Sequence, residues 1–314
     1  MSFAKTGYPK PFIPKFGFGT IGSPEDVVEA VAYAIEVGYR HIDCAYIYGN
    51  EKGVGKGIKI GLERANIERS ELFITSKLWN TFHNPNVVEK ACQKSIDDLG
   101  VGYLDLYLVH NSIAQVELEG GDWRSVDKEG KAILEEGVTI LQTYKAMVAL
   151  KEKGMIKHVG VSNFTVSHLL ELKQAGLEVE CNQIELHPFL PQDRVIDWCR
   201  ENGIVCTAFS PLGTHSWDMR PKNAPNFFEN QVLKEIAEKH SCSVVGVALA
   251  WAIQRREDGL CVIPKSYNPK HIKSNYEEAL NVKLDKEDFE KIATLNIGFR
   301  IVDPYNIWKI PIFD

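Results

Sequence analysis

The sequence predicts an α/β fold, a (β/α)8 TIM barrel, and three observations carry that expectation. Eight short apolar, β-rich runs fall at residues 16–20, 40–43, 72–77, 104–110, 156–162, 179–185, 204–210 and 260–265. Several are almost continuously apolar, as strands buried on both faces are. Between the runs lie segments with apolar residues at three- and four-residue spacing, such as VVEAVAYAIEVG and NVVEKACQKSIDDLG, which is the helical period. Repeated strand–helix units build a parallel barrel, and barrels routinely outgrow the usual domain length. All 314 residues, 1–314, therefore read as one domain.

The helix boundaries have their own chemistry. Ser23 suits an N-cap, Pro24 the first helical position and Asp26 a capping-box-like partner, while Gly38 closes that helix. Pro269 opens the helix after the eighth run in the same way. Three parts stand outside the repeat. A short N-terminal segment precedes the first run. Residues 111–137 make one βα loop too long, and too rich in charge and glycine, for a plain connection; such loops are usually functional. The tail after Ala293 carries Phe299, Tyr305, Trp308 and Phe313 without periodicity, which predicts a segment folded back over the barrel mouth.

Composition narrows the function. A hydrophobic fraction of 44% and a charged fraction of 25% are those of a soluble chain with a full core. The net charge of −6 and the lack of a basic stripe argue against a nucleic-acid partner. The 7 cysteines are scattered, odd in number and without a C-x-x-C pair, so neither a disulfide framework nor a zinc knuckle is expected. With no H-E-x-x-H and no paired histidine ligands, no metal is expected either. No basic-then-apolar leader and no run of membrane-spanning length is visible, which predicts a cytoplasmic protein without a membrane partner. No apolar stripe demands a second subunit, and a monomer is expected.

Four chemically loaded residues sit at or just past the ends of three runs. RHID ends at Asp43, with Tyr48 a few residues beyond, LFITSK ends at Lys77, and LDLYLVH ends at His110. Parallel barrels place their chemistry at the C-terminal ends of the strands. An acid, a phenol, an ammonium and an imidazole converging there make a proton-transfer site. Each has a plainer reading alone, as a packing tyrosine, a turn-capping aspartate, a solvated lysine or a structural histidine. Four complementary groups at adjacent strand ends are not explained by packing. A second motif competes: Gly17-Phe18-Gly19-Thr20-Ile21-Gly22 matches G-x-G-x-x-G, with Asp43 about twenty residues on, as in a Rossmann fold. The run before it is broken by Pro14, and eight repeated units favour a closed barrel over an open sheet. In a barrel these glycines let the backbone pass close to a ligand.

Over essentially its full length the chain resembles the aldo-keto reductases. The motifs GYRHIDCAYIYGNEKGVGKGI, ITSKLW, LYLVH, VGVSNF, CNQIELHPF, FSPLG and IPKSYNP carry the resemblance, in the family's order. It implies a barrel that binds a nicotinamide dinucleotide without a Rossmann domain and reduces small-molecule aldehydes or ketones, possibly aldoses, to alcohols. It assigns Tyr48 as general acid, Lys77 and Asp43 as the groups that tune it, and His110 as the residue that orients the carbonyl. Elementary chemistry agrees. Hydride attack builds negative charge on the carbonyl oxygen, which must be stabilised and protonated. A phenol of ordinary pKa near ~10 is a poor acid at neutral pH, and a nearby ammonium favours its phenolate.

The resemblance also implies the cofactor contacts. Ser162, Asn163 and Gln183 surround the nicotinamide carboxamide, and Phe209 stacks on the nicotinamide ring. Thr20, Ile21 and Asp43 line the same side, Ser210 and Leu212 lead into a loop over the pyrophosphate, and Tyr267 and Asn268 continue the adenosine side. Lys265 and Ser266 match the site for an adenosine 2′-phosphate, and Asn275 contacts the adenine. The family's usual arginine is replaced by His271, and imidazole reproduces the planar guanidinium fork only in part. NADPH is therefore expected first, with NADH as a second cofactor. Ile47, Trp79 and Asn111 are expected in the substrate pocket, Asn111 standing where relatives active on sugars carry tryptophan. A non-catalytic, nucleotide-binding regulatory or structural member of the same fold is the alternative.

Overall fold

A computed structural model of the chain describes residues 12–119, 123–214, 218–255 and 260–313; the N-terminal segment at 1–11 lies outside them. The first half runs β1 (Phe18–Gly19), α1 (Asp26–Val37), β2 (His41–Asp43), α2 (Glu51–Ala65), β3 (Phe73–Leu78), α3 (Pro85–Leu99), β4 (Leu104–Val109) and α4 (Ile140–Glu152). The second runs β5 (Ile156–Ser162), α5 (Val166–Gln174), β6 (Cys181–Glu185), α6 (Asp193–Glu201), β7 (Val205–Phe209), α7 (Gln231–Lys239), α8 (Val244–Gln254) and β8 (Leu260–Val262). Helices α9 (Pro269–Asn281), α10 (Lys286–Ala293) and α11 (Pro304–Trp308) follow.

The strands lie in chain order in one sheet, and each neighbouring pair from β1–β2 to β7–β8 is parallel. The sheet closes on itself. Val262 N–H donates to Lys15 O at 3.0 Å, Gly17 N–H to Val262 O at 2.8 Å and Gly19 N–H to Pro264 O at 3.0 Å. All eight expected strands are present, several of them shorter than the apolar runs. The eighth ends at Val262 rather than 265 because Pro264 has no N–H to continue the ladder. The barrel of the sequence reading is the fold observed.

Strand alternation sorts the core. On β4, Leu106 and Leu108 join Cys181, Val205, Cys261 and Ile263 in one cluster, while Tyr107 and Val109 join the larger cluster shared with the helices. The same period of two stacks polar layers inside the barrel. His41 on β2 meets Thr75 on β3, Nε2 to Oγ1 at 3.0 Å, and two residues further along Asp43 meets Lys77. The boundary differs from the expectation by two residues: α1 begins at Asp26 with Glu25 in the cap position, so Pro24 precedes the helix rather than opening it, while Ser23 still bonds its first residue and Gly38 closes it. Ser23 Oγ accepts from Asp26 N–H at 3.1 Å and donates to Asp26 Oδ2 at 2.8 Å, and Gly38, at φ 126°, returns its N–H to Ala34 O and Ile35 O.

Tyr48 and Asn50 lie immediately ahead of α2, so the seating of that helix fixes the acid. Gly53, Gly57 and Gly61 recur every four residues along its face against α1. A Cβ at Gly57 would fall 2.6 Å from Val28 O and 2.9 Å from Val31 Cβ, and one at Gly53 would fall 2.3 Å from Pro24 O. The two helices approach backbone to backbone. Gly57→Ala should therefore lower stability by about 1–3 kcal/mol, the usual cost of overpacking. Urea denaturation checks this; a variant as stable as the parent would show that α1 gives way freely.

Candidate active site

The four polar residues named from strand ends meet at one mouth of the barrel. Asp43 is the last residue of β2, Lys77 lies near the end of β3, His110 follows β4, and Tyr48 sits in a single 3-10 turn, Tyr46–Tyr48. Lys77 is 1% exposed. Its Nζ donates to Asp43 Oδ1 and, at 2.8 Å, to Cys44 O. The other carboxylate oxygen, Oδ2, accepts from Gln183 Nε2 at 2.7 Å. Lys77 Nζ lies 5.5 Å from the Tyr48 ring centroid, and the rings of Tyr48 and His110 are edge to face at 6.2 Å.

Burial is the largest influence on all three protonatable partners. It pushes the Lys77 ammonium down, but Asp43 and Tyr48 together outweigh it and hold Lys77 above its ordinary value. For Tyr48, burial raises the phenol and exceeds the opposing pull of Lys77, so its pKa lies above the ordinary value. The expected lowering by Lys77 is present but is not the net effect, because a phenolate inside the barrel loses its hydration. His110 is driven well below its ordinary value by burial, with Lys77 and His83 adding to it. It is neutral at physiological pH, and its Nδ1 is buried without a hydrogen-bond partner among the described residues.

The residues expected around the cofactor occupy the rim from β5 round to α9. Ser162 ends β5, and Asn163, in the left-handed region at φ 63°, donates from Nδ2 to His110 O at 3.0 Å and to Ser162 Oγ at 3.2 Å. Gln183 directs its amide N–H to Asp43. Phe209 ends β7 partly exposed, and Ser210, at φ 50°, and Leu212 begin the following loop. Thr20 is buried with its hydroxyl on Asp43 O at 2.8 Å. Ile21 is 47% exposed, and its carbonyl accepts from Tyr267 Oη at 2.9 Å; its side chain stands at the rim. Ser266 Oγ accepts from Asn268 N–H at 3.1 Å, Asn268 caps α9 through Lys270 N–H, His271 is exposed in the first turn of α9, and Asn275 is buried.

Lys265 tests whether this rim fits a dinucleotide. It is partly buried, its ammonium stands 4.6 Å from the Tyr267 ring centroid, and no carboxylate pairs with it among the described residues. Burial alone shifts its pKa, downward. A half-buried cation without a counter-charge suits a phosphate. The rim residues fit a nicotinamide dinucleotide.

The opposite rim is aromatic. Trp79 lies 5.1 Å from the His110 ring, 6.0 Å from Trp308 and 6.1 Å from Trp123, and Ile47 packs into the same cluster. The tail does fold back over the mouth, though not as irregular chain: Asp303 and Pro304 start α11, a cap-then-proline signal legible in the sequence. Sequence reasoning missed what ties the tail down. Buried Glu185, at the end of β6, accepts from Ile301 N–H at 2.8 Å and Val302 N–H at 2.9 Å. It also missed Asn50, whose Nδ2 donates to Thr20 O at 2.7 Å and Gly22 O at 3.0 Å, joining the β1 loop to the Tyr48 turn. Asn111 is 4% exposed, and its Nδ2 donates to Asn80 Oδ1 at 3.1 Å rather than standing free in the pocket.

The sequence model of the Aldo/keto reductase family matches residues 15–297. The chain belongs to that family. It is 40% identical to aldose reductase B of Dictyostelium discoideum, over 96% of this chain and 95% of that one. It is 39% identical to the NADPH-dependent D-xylose reductase of Meyerozyma guilliermondii, over 96% of both. The solved structure of aldose reductase from Giardia lamblia superposes with a TM-score of 0.89 at 40% identity, covering 98% of this chain and 99% of that one. As an aldo/keto reductase, this protein is an NAD(P)H-dependent oxidoreductase acting on carbonyl compounds, not a merely structural relative.

The buried histidines set the acid side of the stability profile. Burial lowers His41 to about 4 and His83 to about 3, and lowers His110 too. The unfolded chain takes up these protons below about pH 6.5 while the folded chain does not, so stability is complete above that pH and falls below it. Each such histidine removes roughly 1.4 kcal/mol per pH unit until its folded pKa is reached. Urea midpoints should fall steadily from pH 6.5 to 5, before most carboxylates titrate. A flat profile over that window would show that the imidazoles are charged in the fold.

Proposed function

We propose that this aldo/keto reductase uses NADPH to reduce aldehydes and ketones, aldoses among them, with Tyr48 as general acid. The observation that carries the reading is the buried Asp43–Lys77 pair placed against the Tyr48 phenol, with neutral His110 across from it. When bound, the nicotinamide supplies the hydride. The residues of the chain hold the carbonyl and manage its proton. His110 offers a ring N–H to the carbonyl oxygen. Tyr48, kept protonated by burial, gives its proton to that oxygen as negative charge develops. The phenolate left behind faces the Lys77 ammonium, which Asp43 keeps charged and Cys44 O keeps in place. Ser162, Asn163, Gln183 and Phe209 position the nicotinamide, while Thr20, Ile21, Ser210, Leu212, Tyr267 and Asn268 line the cofactor's path along the rim.

Lys265, with Ser266 and Asn275, supports NADPH as the preferred cofactor, since a half-buried ammonium with no carboxylate partner among the described residues favours the extra phosphate. The D-xylose reductase relative is named for NADPH as well. His271 leaves NADH usable as the second cofactor. Trp79 and Ile47, with Asn111 behind them, bound the carbonyl pocket. The seven cysteines are all free and six are buried, which supports a cytoplasmic setting; the molecule is read as a monomer, one domain over 1–314, with neither nucleic acid nor membrane as partner.

Loss of the reduced-nicotinamide absorbance during turnover of an aldehyde panel tests the reading. Tyr48→Phe should cut kcat by about 10²–10⁴-fold, the usual worth of a general acid, without weakening cofactor binding. Undiminished turnover in that variant would remove Tyr48 from the mechanism. In the same assay His271→Arg should lower KM for NADPH by about three- to tenfold and leave NADH unchanged, since only the 2′-phosphate gains a guanidinium partner. Equal gains for both cofactors would place residue 271 away from that phosphate.

A further inference from the structure

We propose that Gln115 and Asn80 are positioning residues that set which carbonyl substrates the pocket holds, by locking the long loop after β4 and the tail to the catalytic strand ends through a buried ladder of side-chain amides. The proposal rests on the carbonyl-reductase reading above. The ladder starts beside the chemistry. Asn111 directly follows His110, and its Nδ2 donates to Asn80 Oδ1 at 3.1 Å. Asn80 directly follows Trp79, and its Nδ2 donates to Gln115 Oε1 at 2.8 Å. Gln115 Nε2 then donates to Arg124 O at 2.7 Å and to Ser125 O at 3.3 Å. Asn111 is 4% exposed, and Asn80 and Gln115 are fully buried at 0%.

The far end of the ladder is where the long loop meets the tail. Arg124 O also accepts from Trp308 Nε1 of the tail at 2.9 Å, and Trp123 O accepts from Trp79 Nε1 at 3.2 Å. One run of amides thus joins the ends of β3 and β4, the long loop and α11. Backbone bonds brace it: Gln115 N–H reaches Asn80 O at 3.0 Å, and Ala132 N–H reaches Trp308 O at 2.9 Å. Ser125, at the ladder's end, is fully buried in the left-handed region at φ 45°, a conformation serine holds only when its surroundings impose it. An amide donates and accepts at once, so three in series transmit a fixed orientation. Removing the middle one strands buried partners on both sides.

The consequence falls on substrate size. A small carbonyl compound sits against Tyr48 and His110 alone. A larger one must lie along the wall of Trp79, Trp123 and Trp308, whose indoles and backbone the ladder holds. Loosening the ladder removes binding that ground state and transition state share, which raises KM and leaves kcat unchanged.

The test is Gln115→Met, close in size and without an amide, assayed with propanal and with a naphthaldehyde. KM for the naphthaldehyde should rise about five- to tenfold with kcat inside about twofold, while both constants for propanal stay within about twofold. Acrylamide quenching of tryptophan fluorescence should increase in the same variant. Gln115→Glu gives a second arm. A buried carboxyl group is neutral at low pH, where it donates to Arg124 O as the amide does, so KM for the naphthaldehyde should return toward the parent value as pH is lowered. Equal KM changes for both aldehydes, a fall in kcat alone, or quenching identical to the parent would overturn the proposal. A parent enzyme that reduces neither aldehyde would instead count against the functional reading, with the ladder still judged by quenching.

Discussion

The ion pair of Lys77 and Asp43 is the constraint around which the rest of the site is arranged. Two charges sealed inside a barrel lose their hydration, and further hydrogen bonds on both partners offset that loss. Cys44 O takes a second lysine proton, Gln183 takes the second carboxylate oxygen, and Thr20 ties the Asp43 backbone to the top of β1. β1, β2, β3 and β6 are thereby linked through one carboxylate residue. The pair faces Tyr48 with a fixed positive charge, while burial, with Lys77 adding to it, leaves His110 neutral, which gives two groups different protonation roles at one pH.

The same arrangement explains why the phenol is not simply acidified. Burial raises Tyr48 and Lys77 lowers it, and burial is larger. The proton is retained until negative charge appears on the substrate oxygen. At that moment the ammonium stabilises the phenolate being formed. A resting phenolate would be a worse design, because it could not donate.

The barrel was legible because its signals are local. Apolar runs of strand length, helical spacing between them and caps at Ser23, Gly38 and Pro269 each depend on a few neighbouring residues. The catalytic four were legible because each follows a strand, and strand ends share one mouth. What stayed hidden depends on contacts between distant segments. Gln115 gives no local sign of reaching Asn80 and Arg124, nor Glu185 of holding Ile301 and Val302, nor Asn50 of holding the β1 loop. Asn111 was expected in the substrate pocket, and nothing local showed that its amide N–H turns to Asn80. The net shift of Tyr48 was misjudged for a related reason: a charge partner can be guessed from sequence, but the extent of burial is a property of the whole fold.

The most direct test of the central claim is the ionisation of Tyr48, followed by ultraviolet phenolate absorbance after subtracting the titration of Tyr48→Phe. It should be compared between the parent and Asp43→Asn/Lys77→Met, which removes both charges without leaving either one stranded. With the pair gone, burial acts unopposed by the ammonium, so the account predicts a higher Tyr48 pKa in the double variant. An unchanged or lower value would contradict it, because the buried pair would then not be what sets the proton affinity of the acid.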